Sequence, residues 1–502
     1  MVQPKFLHDL PRARAHCSPE SWALLGDSEL TYSDLAQQVD ALARYLAKHY
    51  SPGSRVGVLA WNSNEYLILI YACSAAGLVL VPLNTRLAGA EWRYQLQSTR
   101  PSLLVYGPEF KQQSLGLAVE LKVQHVGIEI LVEHRAKASE TALPILTSDL
   151  PVWILHTSGS TGKPKGAMLT HQSFLAGLES AAQGRPVLDT DVYLYPFPLF
   201  HVSAHNVFLQ HRYGAAVLLL PGFDADRVLS LCEQGQVSTL SLAPTMLAML
   251  LDHPGYSPEK LKGVRAIGYG ASAMPLPLMQ TLLSTLDIEL SQSYGMTELS
   301  GSISFLMPDD HRAGLTDPSI MRSVGRPVEG VEVTIRNDQG DVLPPGLVGE
   351  VCVAADQCMT GYWERSQETE SAIGAGFLRT GDLGVFDERG YLTLVDRKKD
   401  MIISGGENIA SREVEDVLSA HSSVKQVAVV GLPNDRWGEV VCACLVLCRA
   451  VEAGELDVFC RKQLAAFKCP KRYVTLESLP LNASGKIDKP ALRQALLDQS
   501  LS

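Results

Sequence analysis

The chain has 502 residues and a formal net charge of −11, with 46% hydrophobic and 19% charged residues. This composition is typical of a globular protein and excludes disordered and fibrous classes, and the negative charge argues against a nucleic-acid-binding surface. Because a single core rarely grows to this length, we expect two or more domains. No apolar run approaches the roughly 20 residues that span a bilayer, and the N-terminus has no apolar signal segment. We therefore expect a cytoplasmic protein without a transmembrane segment.

Short apolar runs alternate with longer amphipathic stretches along most of the chain. Such alternation predicts parallel sheets covered by helices, and these sheets bind ligands at the carboxyl ends of their strands. The runs that we interpret as strands are 55–60, 78–81, 152–155, 216–220, 237–242 and 264–267. The prediction is an α/β fold, with a large N-terminal domain of parallel-rich sheets covered by helices.

The sequence pattern changes near residue 400. A charged run at 396–400 follows an apparent strand at 391–395, and the glycine pair Gly405 and Gly406 comes next. Apolar residues at helical spacing then follow, at positions 414, 417 and 418. We predict a large domain over 1–396 and a small, mobile α+β domain over 397–502.

Residues 156–166 read His-Thr-Ser-Gly-Ser-Thr-Gly-Lys-Pro-Lys-Gly and follow the strand predicted at 152–155. Hydroxyl groups and free backbone N–H groups donate hydrogen bonds, glycines allow close approach of the backbone, and lysines add positive charge. Together they predict a loop that binds a polyphosphate. The loop is not a Walker A motif, because Thr157 stands where that motif has glycine and Pro164 follows Lys163.

Four further segments occur downstream in a fixed order. They are Gln-Ser-Tyr-Gly-Met-Thr-Glu at 292–298, Arg-Thr-Gly-Asp-Leu at 379–383, Asp-Arg-Lys-Lys-Asp at 396–400 and Asn-Ala-Ser-Gly-Lys-Ile at 482–487. With the loop at 156–166 they resemble the ordered signatures of the adenylate-forming superfamily, which includes acyl-CoA synthetases. Ala483 stands where the family usually has proline.

The resemblance implies an ATP site and a Mg²⁺ site. In the phosphate loop, the residues that would hold the β- and γ-phosphates are Thr157, Ser158, Gly159, Ser160, Thr161, Gly162, Lys163 and Lys165. In the second segment Tyr294 would lie against the adenine and Thr297 would contact the α-phosphate, with Gln292, Ser293, Gly295 and Met296 beside them. Thr157 and Glu298 would bind the metal, since a carboxylate oxygen is the ligand that Mg²⁺ prefers.

The remaining implied roles belong to residues near and beyond the predicted boundary. Asp382 would accept hydrogen bonds from both ribose hydroxyls, and Arg397 would add a charged contact to the nucleotide. Lys399 matches the hinge of the family. Lys486 would be the catalytic residue, because attack of a carboxylate on the α-phosphate creates negative charge that an ammonium group stabilises.

Coenzyme A is the predicted acceptor. The segment 404–409, with Gly405 and Gly406, resembles the turn that lines the pantetheine tunnel of acyl-CoA synthetases, and the segment 433–439, with Trp437, resembles a second motif of theirs. Ala410 and Ser411 replace the usual tyrosine and proline. Carrier-protein-directed relatives share much of this pattern, so a phosphopantetheinyl carrier protein stays open as the alternative acceptor.

The acyl pocket is predicted from two segments. Residues 197–205 resemble the gate of the family, with His201 as the gating residue, and Gly270, Ala271 and Ser272 resemble a turn of fatty-acyl and aryl-acyl ligases. His201 and His205 stand four residues apart, but Val202 occupies the position of the zincin glutamate, which argues against zinc. No charged residue stands out as a partner for a second substrate charge, so the pattern favours a largely apolar monocarboxylate.

These features predict an ATP-dependent acid–CoA ligase that uses Mg²⁺ and coenzyme A. The expected partners are a small carboxylic acid, ATP and CoA, without nucleic acid, and a homodimer stays open. The rival hypotheses are an enzyme that loads a carrier protein and a non-catalytic homologue that senses AMP.

Overall fold

The computed structural model describes residues 3–26, 28–133, 141–157, 164–270, 274–482 and 486–500. These residues form two compact units. The first unit draws on the ranges 1–271, 282–332 and 353–378, and the second on 272–281, 333–352 and 379–502. The domain boundary at 396–397 stays a prediction.

The strands in chain order are β1 (Trp22–Leu25), β2 (Leu30–Thr31), β3 (Arg55–Leu59), β4 (Val79–Pro82), β5 (Leu103–Tyr106), β6 (Gln124–Gly127), β7 (Pro151–Thr157), β8 (Lys165–Thr170), β9 (Val192–Tyr195), β10 (Ala216–Leu219), β11 (Thr239–Leu242), β12 (Ala266–Gly270), β13 (Glu289–Met296), β14 (Gly301–Leu306), β15 (Arg326–Pro327), β16 (Glu332–Arg336), β17 (Gly349–Ala354), β18 (Gly361–Tyr362), β19 (Ile373–Gly374), β20 (Phe377–Phe386), β21 (Leu392–Arg397), β22 (Ile402–Ser404), β23 (Glu407–Ile409), β24 (Val424–Asn434), β25 (Gly438–Leu447) and β26 (Arg472–Thr475).

The helices are α1 (Asp9–Cys17), α2 (Tyr32–His49), α3 (Asn64–Ala75), α4 (Gly89–Thr99), α5 (Lys111–Leu121), α6 (Ile128–Glu133), α7 (His171–Gly184), α8 (His205–Tyr213), α9 (Ala225–Glu233), α10 (Pro244–Leu251), α11 (Leu276–Thr285), α12 (Pro308–Gly314), α13 (Pro318–Met321), α14 (Ser366–Ala372), α15 (Ser411–Ser419), α16 (Ala453–Arg461) and α17 (Lys489–Ser500). In the part of the chain that the structure describes, no helix is long and apolar enough to cross a membrane.

The first unit contains two large sheets. A nine-stranded sheet has the order β15-β14-β13-β12-β11-β9-β10-β1-β2, and a seven-stranded sheet has the order β18-β8-β7-β4-β3-β5-β6. Neighbours from β13 to β1 in the first sheet, and from β7 to β6 in the second, run parallel. The predicted parallel-rich α/β fold is confirmed, and each apolar run named above overlaps a strand.

Local sequence signals explain where the helices that cover these sheets begin and which side chains they bury. Thr31 and Asp34 form a capping box that begins α2, and the helix then buries Leu35, Val39 and Leu42 at helical spacing. Helix α3 begins at the cap Ser63 and is buried on almost every side. Such a helix, apolar all round, belongs in the interior of the unit.

The second unit is built around a five-stranded sheet with the order β23-β22-β25-β24, in which β26 pairs with β25. The long hairpin β24–β25 buries alternate residues on its two faces, because successive side chains of a strand point to opposite sides. Val429 and Ala443 lie in one apolar cluster, and Cys442 and Cys444 lie in the other. The alternating apolar pattern around Cys442, Cys444 and Cys448 predicts buried structural thiols rather than a zinc site. This prediction is confirmed for Cys442 and Cys444 and wrong for Cys448, which is exposed.

A smaller sheet of five strands, with the order β16-β17-β20-β19 and β21 beside β20, carries the segment Arg-Thr-Gly-Asp-Leu on β20. The pairing of β20 with β21 sets Asp382 opposite Arg397. A turn at 398–400 follows β21 and leads to β22, and the backbone N–H of Asp400 donates to the carbonyl of Arg397 at 2.9 Å.

Candidate active site

The predicted phosphate loop connects two antiparallel strands of the seven-stranded sheet. Strand β7 ends at Thr157 and strand β8 begins at Lys165, and the two residues pair directly across the ladder. The residues Ser158, Gly159, Ser160, Thr161, Gly162 and Lys163 lie outside the described residues. The strands therefore bring Thr157 and Lys165, at the two ends of the loop, to one edge of the sheet.

Glu298 is the acidic centre of this edge. It is only 6% exposed, and its Oε1 accepts hydrogen bonds from the hydroxyl of Thr157 at 3.1 Å and from the hydroxyl of Tyr362 at 2.9 Å. Burial, and then the negative charge of Glu298, raise the pKa of Tyr362 above its ordinary value. The ammonium of Lys165 lies 5.1 Å from the centre of the Tyr362 ring, within cation–π range.

The chemistry of this set fits a hard divalent cation. Within the described ranges, no lysine, arginine or histidine forms a salt bridge with Glu298, and a buried carboxylate without a cation is costly. Nor does that part of the chain hold a group of three histidine, cysteine or acidic side chains suited to a metal. One carboxylate and one hydroxyl match Mg²⁺, which keeps waters and phosphate oxygens as its other ligands.

Strands β12 and β13 place the nucleotide-binding segments side by side. Gly270 pairs with Ser293, and a Cβ atom on Gly270 would lie 2.7 Å from the carbonyl oxygen of Ser293, so only glycine fits. The same holds for Gly295, where a Cβ atom would lie 1.9 Å from the carbonyl oxygen of Gly301. Ala271 and Ser272 lie outside the described residues.

The rest of this segment follows the strand into a turn. Gln292 and Tyr294 are buried in β13, Met296 is extended, and a short 3₁₀ helix begins at Thr297. Gln292 accepts a hydrogen bond from the hydroxyl of Tyr269 at 3.3 Å. The segment thus lies at the carboxyl end of β13, which runs parallel to β12.

The second unit gathers three predicted residues in one neighbourhood. Arg397 donates from Nε to Oδ1 of the buried Asp382 at 2.9 Å. The pKa of Lys486 is lowered, first because its ammonium loses water contact and then by repulsion from Arg397, while attraction to Asp382 opposes the change. Because Lys486 as a whole residue is exposed, we infer no large effect of this shift on the stability of the fold.

Predicted residues of the CoA site also meet in this unit. Gly405 and Gly406 have φ values of +62° and +85° in the turn between β22 and β23. The backbone N–H of Gly405 donates to the carbonyl of Trp437 at 2.8 Å, and a Cβ on Gly405 would lie 2.8 Å from the indole ring. Lys399 lies in the exposed turn after β21.

The unusual Ser411 has a defined place in the structure. It is fully buried at the start of α15, and both its backbone N–H and its hydroxyl donate to Oδ2 of Asp396, at 2.5 and 2.8 Å. Lys489 in turn donates to the Ser411 hydroxyl at 2.6 Å and forms a salt bridge of 2.7 Å with Glu415. A proline at 411 would lack the N–H that Asp396 binds.

His201 and His205 flank a short 3₁₀ helix before α8. The ring of His201 lies 4.7 Å from that of Phe200, and the backbone N–H of His201 donates to the carbonyl of Pro198 at 3.2 Å. Burial lowers the pKa of His205 to about 4, and its Nδ1 is 2.9 Å from the carbonyl oxygen of Val202. A neutral His205 that donates from Nδ1 fits a packed histidine rather than a zinc ligand.

Sequence analysis missed two residues of the first unit. Tyr362 contacts Glu298 from a short strand with no distinctive pattern. Arg185 follows α7 and donates to side chains and backbone of several pocket segments, yet in the sequence it looks like a basic residue at a helix C-terminus. Neither carries a local signal, because its contacts come from distant parts of the chain.

Comparison with known proteins identifies the family of the chain. The profile of the family described as AMP-binding enzyme matches residues 11–363, and that of the AMP-binding enzyme C-terminal domain matches residues 413–486. A fatty acid–[acyl-carrier-protein] ligase, ScoC, from Streptomyces coeruleorubidus is 35% identical over 475 residues, which cover 92% of this chain and 91% of that one. A 2-succinylbenzoate–CoA ligase from Bacillus pumilus is 34% identical over 508 residues, covering 100% of both chains.

Solved structures of the o-succinylbenzoate CoA synthetase of Bacillus subtilis are also similar. The complex with the acyl-adenylate intermediate has a TM-score of 0.87 at 33% identity and covers 98% of each chain. The complex with ATP and magnesium ion has a TM-score of 0.86 at 33% identity and covers 97% of this chain and 99% of that one.

Proposed function

The chain belongs to the family of AMP-binding enzymes and is an AMP-forming acid–thiol ligase, and we propose that it converts a largely apolar carboxylic acid, fatty or aromatic, into acyl-AMP and then acyl-CoA. ATP, magnesium and coenzyme A are its cofactors. The observation that carries the proposal is the buried Glu298, which accepts from Thr157 at the end of the phosphate loop and has no cationic partner among the described residues.

The first half-reaction joins the acid to AMP and releases pyrophosphate. Lys165 and the loop that precedes it would hold the β- and γ-phosphates, Thr297 the α-phosphate and Tyr294 the adenine. Thr157 and Glu298 would hold a magnesium ion, which would neutralise charge on the phosphates. Lys486 would stabilise the negative charge that grows at the α-phosphate as the carboxylate attacks.

The second half-reaction transfers the acyl group from acyl-AMP to a thiol and releases AMP. We propose that residues 397–502 turn about Lys399 between the two half-reactions, since one site serves both. The exposed turn at 398–400 supports a hinge there. Gly405, Gly406 and Trp437 would then line the path of the CoA thiol, and Asp382 and Arg397 would bind the nucleotide. His201 would gate the acyl pocket.

A panel of acids tests this function. AMP release is measured with each acid and MgATP, with CoA, with a phosphopantetheinyl carrier protein, and without either thiol. Acid-dependent AMP release that rises with CoA supports the proposal. A rise with the carrier protein alone would instead favour the second candidate, which the similarity to the carrier-protein ligase supports. No acid-dependent AMP release from any acid would contradict both.

We further propose a cytoplasmic location. All ten cysteines are free thiols, which is the state that a reducing compartment maintains. A homodimer stays a prediction, and light scattering of the purified protein tests it.

A further inference from the structure

Tyr94 connects helix α4 to the end of the predicted phosphate loop. Its hydroxyl donates to the carbonyl oxygen of Pro164 at 3.4 Å. The hydroxyl oxygen in turn accepts a hydrogen bond from Nη2 of Arg365 at 2.8 Å. Because a charged donor polarises the hydroxyl that it binds, the guanidinium strengthens the bond that this hydroxyl donates. The three residues thus form one chain of hydrogen bonds that ends at the backbone of the loop.

Trp363, two residues before Arg365, holds the next part of the same backbone. Its N–H donates to the carbonyl of Gly166 at 2.8 Å, and its indole Nε1 donates to the carbonyl of Ser98, in α4, at 3.2 Å. The loop end at 164–166 is therefore held from two sides, by helix α4 and by the chain segment that carries Arg365.

The contact at Pro164 bears directly on Lys165. A peptide group is planar, so a donor that fixes the carbonyl of Pro164 also fixes the direction of the Lys165 N–H across the same bond. Lys165 lies opposite Thr157 in the β7–β8 ladder, and the segment between them contains two glycines. Because glycine loses more conformational freedom than other residues when it is ordered, such a loop binds its ligand more tightly if its ends are already held.

Arg365 differs from an arginine that binds phosphate directly. Its Nη1 lies 3.5 Å from Oε1 of Glu368, and its Nη2 donates to Tyr94. The positive charge is therefore balanced within the chain. This arrangement favours a role that acts through Tyr94 and the loop backbone over a contact with ATP itself.

We propose that Tyr94 and Arg365 are positioning residues for ATP, which hold the end of the phosphate loop in the conformation that binds the β- and γ-phosphates. This inference rests on the proposed function, because it takes the loop to be a phosphate site. It assigns both residues to the adenylation half-reaction alone, since acyl-AMP, the substrate of thioester formation, has no β- or γ-phosphate.

Removal of the Tyr94 hydroxyl tests the kinetic consequence. Pyrophosphate exchange is measured with the best acid of the panel. In Tyr94→Phe we expect the KM for MgATP to rise about tenfold, while kcat and the KM for the acid change less than about twofold, because the loss concerns the binding of the outer phosphates. Thioester formation from supplied acyl-AMP should keep its wild-type rate.

The partner residue and a matched control complete the kinetic test. Arg365→Met should raise the KM for MgATP as Tyr94→Phe does, and Arg365→Lys should restore part of the loss. The double variant should be no worse than either single one, since both residues act on the same carbonyl. In Tyr50→Phe the lost hydroxyl binds Gln124 on β6, at the opposite edge of the same sheet, and every constant should stay unchanged.

Nucleotide binding gives a second readout that does not need catalysis. In calorimetry, Tyr94→Phe should raise the Kd of MgATP about tenfold and leave the Kd of AMP unchanged. Equal weakening of MgATP and AMP, or an unchanged KM and Kd for MgATP, would overturn the proposal. Selective loss of MgATP binding, in a protein whose wild type shows no acid-dependent AMP release, would contradict the proposed function and support the role of Tyr94.

Discussion

The hydroxyl of Thr157 donates to the carboxylate of Glu298 at 3.1 Å, although 141 residues separate them in the chain. The contact joins the end of β7, in the seven-stranded sheet, to the turn after β13, in the nine-stranded sheet. It brings two signatures of the sequence to one place, where a buried carboxylate has two hydroxyl donors and no described cationic partner.

Replacement of Glu298 by glutamine should impair the metal-dependent step. Glu298→Gln keeps an oxygen that Thr157 and Tyr362 can bind but removes the negative charge, so we expect acyl-AMP formation to fall about 100-fold or more. The concentration of Mg²⁺ needed for half-maximal rate should rise. Pyrophosphate exchange over a magnesium titration measures both effects, and Glu289→Gln, on the exposed start of β13, is the control. An unchanged magnesium dependence would contradict the assignment.

Removal of the Lys486 ammonium should separate the two half-reactions. Lys486→Ala is expected to abolish acyl-AMP formation, since the charge on the α-phosphate loses its stabilising partner, while thioester formation from supplied acyl-AMP survives. The exposed Lys462, at the end of α16, provides the control Lys462→Ala. Equal loss of both half-reactions in Lys486→Ala would show that the residue is not specific to adenylation.

The lowered pKa of Lys486 gives this step a pH dependence. Only the ammonium form stabilises the transition state, so the adenylation rate should fall as pH rises through a pKa below the ordinary 10.5 of lysine. Lys486→Arg keeps its charge over this range and should remove the alkaline decline from whatever activity it retains. A decline that persists in Lys486→Arg would assign the titration to another group.

Buried histidines should make the fold sensitive to acid. Burial lowers the pKa values of His205 and His211 to about 4, below the 6.5 of an unfolded histidine. The stability that these two neutral histidines contribute is complete above pH 6.5. It decreases as pH falls towards 4, because over this range the unfolded chain binds more protons than the folded one. At pH 5.5 each histidine should lower the free energy of unfolding by about 1.4 kcal/mol. Urea unfolding at pH 7.5 and 5.5 measures the loss, and His211→Gln should reduce the difference between the two pH values.

The turn at Gly405 should affect the thiol step alone. Gly405→Ala places a Cβ in a left-handed conformation and 2.8 Å from the Trp437 ring, so the turn must shift. We expect the KM for CoA to rise about tenfold while acyl-AMP formation stays unchanged. Gly454→Ala, in α16 with nothing within 4 Å of the added Cβ, is the matched control. Impaired adenylation in Gly405→Ala would instead indicate a general loss of structure.

Local patterns were sufficient for much of the fold. The apolar runs at 55–60 and 264–267 became β3 and β12 because a buried parallel strand needs an unbroken apolar segment and a helix to cover it. The charged run at 396–400 likewise coincides with the end of β21 and the turn that follows it. Cys448 is predicted to be buried but is exposed. The alternating pattern of a strand does not show at which residue the packing against the sheet ends.

By itself, the sequence determined the family of the chain and predicted its site: a phosphate loop, a nucleotide segment and a lysine proposed as catalytic, each within a continuous stretch whose residue types act through local geometry. The tertiary structure alone decided which side chains share a site. Tyr362 reaches Glu298 across 64 residues, and Arg185 reaches Ser293 across 108. In the described part of the chain, Glu298 and the guanidinium of Arg185 are thus buried charges without a nearby counterion, and such an environment arises only when distant segments pack together.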